Sequence, residues 1–194
     1  VIMRWGLEHM QLPEGGSVYL RLSTRPIDQP VRDIDNNFLR RIIAGAYWSK
    51  IPAHGAELAI VYCGAVAPEV KAACEELSDE IPGLGLLSVT SPDRLHSDWL
   101  DAKRARSSER TTRLAEIEQI LQCLSPDAAI VTVIDGHPAT LSWLGAVSGH
   151  QVYPLGVETF GQSGDINDLY KHYGLDTEAI LDAVARACLR HLAD

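Results

Sequence analysis

With 194 residues the chain is sized for one compact domain and a short appendage, enough to bury roughly 70% of its unfolded surface. A formal charge of −9 excludes a surface built to track nucleic-acid phosphates, while 46% hydrophobic and 22% charged residues are ordinary for a soluble globular protein. No apolar run reaches the roughly 18 residues that span a bilayer and no signal peptide is visible, so neither nucleic acid nor membrane is an expected partner.

The chain accordingly reads as cytoplasmic. Its four cysteines (Cys63, Cys74, Cys123 and Cys188) are widely separated, form no C-x-x-C pair and sit in apolar runs. There a reduced thiol behaves as a small hydrophobe. The histidines show no ligand spacing with one another or with the cysteines, so no metal site is expected.

Residues 1–12 read as a helix already in progress, with Ile2, Trp5, Leu7 and Met10 apolar, stopped by Pro13-Glu14-Gly15-Gly16. Val1 is not an initiator methionine, and such a beginning reads as a fragment of something longer. Residues 16–23 (GSVYLRLS) alternate as a strand does, and 24–36 form a polar, aperiodic linker. Phe38, Leu39, Ile42 and Ile43 predict a short helical face, followed by a short strand at 46–51.

Four continuous apolar runs then predict buried strands at 57–63, 85–90, 128–134 and 151–157. Helical patterns fall between them at 68–80, 92–106, 111–123 and 139–147, with Leu114, Ile117, Ile120 and Leu121 on one face of the third. This alternation predicts a doubly wound α/β sheet with right-handed crossovers. In the closing segment, Gly174 suits a left-handed helix end, Asp176 a cap, and Leu175 with Ile180 a hydrophobic staple.

Several features invite a chemical reading. Cys63-Gly64-Ala65-Val66 lies between a strand and a helix, where such folds bind anions. It lacks the further glycines of a dinucleotide fingerprint, so a plain tight turn is expected. Gly161-Gln162-Ser163-Gly164 has Asp165 where a nucleophile elbow needs glycine, which makes Ser163 a helix cap. Asp135-Gly136-His137-Pro138 follows a strand end, where open sheets place ligands. His137 is a polar contact or proton shuttle there, or the turn's aspartate simply caps the next helix. Lys103, Arg104, Arg106, Arg110 and Arg113 form a basic cluster, read as a solvated face or an acidic partner's dock.

Four segments in order are similar to the C-terminal domain of the transketolase and 2-oxoacid dehydrogenase enzymes that use thiamine diphosphate. ELAIVYCGAVAPEVKAACEEL resembles that family's first strand, turn and helix. GLLSVTSPDRLHSDW resembles the Ser-Val-Thr-Ser strand end of the homodimeric pyruvate dehydrogenase decarboxylating component. FGQSGDINDLYKHYGLD resembles the Phe-Gly-x-Ser turn and the Leu-Tyr and Gly-Leu-Asp pattern shared with transketolase and deoxyxylulose-phosphate synthase, and GSVYLRLSTRP the last strand of the preceding pyrimidine-binding domain.

The resemblance implies a three-layer α/β/α domain with a mixed, mostly parallel five-stranded sheet of Rossmann-like topology and an antiparallel first strand. Residues 1–36 would then close the preceding domain and its linker, and 37–194 would form the C-terminal domain. It implies packing, dimerisation and active-site-edge roles within a homodimer whose remaining domains bind thiamine diphosphate and Mg²⁺. No catalytic, cofactor-binding or metal residue is expected in this chain. Arg25 and His137 are its candidate substrate contacts. Thr24 and Pro26 depart from the transketolase pattern around that arginine, and Asp135-Gly-His-Pro from the pyruvate dehydrogenase one, which leaves 2-oxoacid and sugar-phosphate substrates both open. The rival readings are a stand-alone α/β module for small anions and a hydrolase using Ser163 or a cysteine.

Overall fold

A computed structural model describes residues 1–28, 31–108 and 111–191, with the backbone alone for 190 and 191. The elements in chain order are α1 (Ile2–His9), α2 (Asn36–Ala44), β1 (Ala46–Lys50), β2 (Ala56–Cys63), α3 (Ala67–Glu76), β3 (Gly85–Val89) and α4 (Pro92–Ser108). Then follow α5 (Glu116–Leu121), β4 (Leu124–Ile134), the single turns α6 (Ala139–Ser142) and α7 (Gly145–Ser148), β5 (Gln151–Leu155), α8 (Ile166–Tyr173) and α9 (Thr177–His191).

The five strands form one sheet in the order β1-β3-β2-β4-β5. β1 pairs antiparallel with β3, and β3, β2, β4 and β5 run parallel. Continuous apolar strands require cover on both faces, and the two faces are distinct. Leu58, Ile60 and Tyr62 of β2 point to the side where α3 and α9 pack through Val70, Ala73, Ile180 and Val184. Ala59 and Val61 point to the other side, against Leu95 and Trp99 of α4, Ile117 and Leu121 of α5, and Leu141 and Leu144. This is the expected three-layer α/β/α domain, with a mixed sheet and an antiparallel first strand.

The local signals of the last helices hold. Gly174 closes α8 at φ +63°, where a Cβ would be strained. The Asp176 carboxylate accepts the Ala179 N–H at 3.0 Å, and Leu175 and Ile180 are both fully buried in one cluster.

Four expectations are corrected. Residues 16–23 are not a strand: among the described residues, 17–24 make no backbone–backbone hydrogen bond and join no ladder. Alternating sequence supplies strand character but not a partner. The third predicted helix starts at Glu116 instead of 111, because the Glu118 carboxylate takes the Ala115 N–H at 2.7 Å and Asp98 takes the Glu116 N–H at 2.7 Å. Leu114 therefore lies outside the helix and is exposed. The pattern at 139–147 splits into two single turns, α6 and α7, that bury Leu141 and Leu144 separately. Asp165, not Ser163, stands at the start of α8, and Ser163 is exposed.

The N-terminal helix also differs from a core helix. Met3, Leu7 and Met10 are exposed, and α1 is held instead by Arg94 of α4, whose guanidinium lies 4.1 Å from the Trp5 ring centre.

Candidate functional site

Open parallel sheets present ligand sites beyond the carboxyl ends of their strands. Here that edge is the end of β2 with its turn to α3, the end of β4 with its turn 135–138, and the loop from β5 to α8. Val157 N–H donates to the Gly136 carbonyl at 2.8 Å, which ties the last two together.

Gly64 occupies the place where such folds hold phosphate, but its space is already filled. A Cβ there would lie 2.3 Å from Oδ1 of Asp135, and the backbone adopts φ +90°. The aspartate of the 135–138 turn thus does not cap α6, as one sequence reading had it. Its carboxylate accepts from Arg21 Nη1 at 2.9 Å, and its main-chain carbonyl accepts from Arg21 Nη2 at 2.6 Å.

Arg25 lies in a second, more enclosed arrangement. Its guanidinium donates to both Glu69 oxygens, at 2.8 and 2.6 Å, and to the Ala65 carbonyl at 2.9 Å. The two side chains are only 15% and 14% exposed, which makes this a fork-to-fork pair largely withdrawn from solvent. The Tyr170 ring centre is 5.1 Å from the guanidinium carbon. The Glu69 hydrogen bond raises the already high pKa of Arg25, so the charge is permanent. Burial, reinforced by Asp135, raises the Tyr170 phenol above its ordinary value. Arg25, Asp135, Tyr170 and Tyr173 line a mainly apolar pocket of about 210 Å³ that also reaches Ser23, Val157 and Leu169.

His137 stands on the same edge and is exposed; its Nδ1 accepts the Ala139 N–H at 3.2 Å. The structure therefore brings Arg25 and Asp135 into one pocket and leaves His137 beside it on the turn. Glu69 and Tyr170 were missed by sequence reasoning; a glutamate in a first helical turn reads as a dipole partner, and nothing local marks it for an arginine 44 positions away.

The remaining candidates resolve as structure. Cys63 is partly buried beside Asp135, and burial, followed by that carboxylate, pushes its thiol up to about 11, far from a nucleophile's range. Ser163 has no hydrogen-bond partner among the described residues, so nothing there would activate it. Arg104 pairs with Asp101, Arg106 with Glu118 and Arg113 with Asp98, while Lys103 lies 4.5 Å from the Trp99 ring centre. The described part of the basic cluster is therefore a face matched by the chain's own groups; Arg110 lies outside the described residues.

The residues present do not fit thiamine diphosphate. The glycine turn at the end of β2 holds a carboxylate where a phosphate would sit, and no group of three His, Cys, Asp or Glu among the described residues is placed to hold a metal. Among those residues no helix is long and apolar enough to cross a membrane.

Among solved structures, transketolase from Leishmania mexicana superposes with a TM-score of 0.55 at 18% identity, over 78% of this chain and 19% of that one. Transketolase from Pichia stipitis in complex with sedoheptulose-7-phosphate gives 0.53 at 18% identity, over 86% and 21%. Transketolase from Campylobacter jejuni gives 0.51 at 17%, over 74% and 18%. At such identities these likenesses show the fold alone, and this chain spans about one fifth of each of those proteins. No curated protein matches the chain in sequence. The family model for the transketolase-like C-terminal domain matches residues 45–176, which is more than half of the chain. The chain belongs to the transketolase-like C-terminal domain family.

Proposed function

We propose that this chain is the outer domain of a transketolase-like or pyruvate dehydrogenase-like thiamine-diphosphate enzyme. Its work there is packing, dimerisation and shaping the active-site edge, while the cofactor and Mg²⁺ are bound by other domains of a cytoplasmic homodimer. Residues 1–36 belong with the preceding domain and its linker, and 37–194 form the C-terminal domain.

One observation carries this reading. Residues 17–24 have the composition of a strand, yet their backbone donors and acceptors are unmatched by any described residue. Tyr19 and Leu22 on that segment are 86% and 72% exposed, and Met3, Leu7 and Met10 of α1 are exposed as well. Unpaired backbone edges and exposed large apolar side chains mark contact with another body. A neighbouring sheet would satisfy both needs at once.

Arg25 and His137 are the proposed substrate contacts of this edge. His137 is accessible. Arg25 is engaged by Glu69, so an anionic substrate group would share or displace that carboxylate.

Calorimetric titration of thiamine diphosphate with Mg²⁺ into the 194-residue chain tests the division of labour. No saturable heat is expected from the chain, and saturable binding from the full-length gene product. Micromolar binding by the chain itself would contradict the proposal.

A further inference from the structure

Segment 17–25 does not simply trail across the domain; it is fastened at two points four residues apart. Arg21 grips Asp135 through its carboxylate and its carbonyl, at 2.9 and 2.6 Å. Arg25 grips Glu69 through both oxygens and the Ala65 carbonyl as well. The acceptors come from different elements: the turn after β4, the first turn of α3, and the β2–α3 turn. Tyr170 of α8 adds its ring at the second point.

We infer that Asp135 and Glu69 are positioning residues, acting through Arg21 and Arg25 to hold segment 17–25 in one place on the domain. Both grips use side chains, so the backbone edge of residues 17–24 stays open for ladder bonds. A segment already held in one place loses less chain entropy when a sheet adds to it. The first grip does a second job. Asp135 lies two residues before His137 on the same turn, so the grip that holds the segment also fixes the turn that presents this histidine. Gly64 completes the device by leaving room for the Asp135 carboxylate, which a Cβ there would meet at 2.3 Å.

The inference rests on the reading of 17–24 as a strand for another domain's sheet, but its test is independent of that reading. Chymotryptic cleavage after Tyr19 reports how firmly the segment is held, because Tyr19 is exposed and belongs to neither grip. In the 194-residue chain, Glu69→Gln and Asp135→Asn should each speed that cleavage roughly tenfold, as expected when local opening becomes easier. The midpoint for unfolding of the sheet, read by tryptophan fluorescence, should move little. The paired exchange Arg25→Glu with Glu69→Arg should restore slow cleavage. Arg21→Gln, at an exposed side chain that tolerates change, repeats the test without disturbing the core.

Unchanged cleavage in these variants would overturn the inference. So would faster cleavage that merely tracks a lowered unfolding midpoint and is not rescued by the exchange. Either result would leave the parent-enzyme reading standing, since that hangs on what residues 17–24 do in the full-length gene product.

Discussion

Replacing Gly64 by alanine tests the packing of the carboxyl edge most sharply. The backbone at Gly64 has φ +90°, a region that costs a residue with a Cβ about 1–3 kcal/mol. The new methyl would lie 2.3 Å from Asp135 Oδ1, so the carboxylate must rotate away from Arg21. Because Arg21 is 55% exposed, losing that pair adds only about 0.5–1 kcal/mol. The total, about 1.5–4 kcal/mol, corresponds to a fall of about 3–16 °C in Tm for a domain of this size. Urea denaturation followed by tryptophan fluorescence measures it, in the wild type, Gly64→Ala, Asp135→Ala and the double variant. The clash component should vanish in the Asp135→Ala background and leave only the backbone strain. A Gly64→Ala cost below about 0.5 kcal/mol, or one unchanged in that background, would refute the account of this turn.

Further outcomes are expected. Arg25→Ala removes the grip on Glu69 and should speed chymotryptic cleavage after Tyr19 roughly tenfold, whereas Arg104→Ala at an exposed pair should leave it unchanged. His150 is buried, neither ring nitrogen has a hydrogen-bond partner among the described residues, and burial holds its pKa below 6.5 against the pull of Ala128 and Asp127. Its neutral form is therefore favoured by folding: the contribution is complete above pH 6.5 and is lost as pH falls below it. Denaturation at pH 7.5 and 5 should show a smaller acid loss in His150→Gln than in the wild type, and equal losses would sink the assignment. Cys63, raised to about 11, should react slowly with a thiol reagent at pH 8 and rapidly once the chain is unfolded in urea.

Much of the fold was legible because its cues are local. The apolar runs at 57–63 and 128–134 sit in adjacent buried strands, and Gly174, Leu175 and Asp176 do what their chemistry suggests. Where the reading failed, a distant group decided the matter. The start of α5 depends on Asp98, 18 residues earlier, which no helix-start rule senses. The site was less legible for the same reason. Arg21 and Asp135 are 114 positions apart, so the sequence marks Gly64 as a tight turn but not the carboxylate that fills its space. Residues 16–23 show the converse: the strand pattern is present, but pairing is a property of two segments, and the second is not among the described residues.

Amide hydrogen exchange tests most directly the proposal that residues 17–24 pair with another domain's sheet. In the 194-residue chain those amides should exchange rapidly, since they donate to no described backbone acceptor. In the full-length gene product the amides on the paired side of the segment should slow by roughly a hundredfold or more, as ladder bonds open only with local unfolding. Equally fast exchange in both would contradict the account.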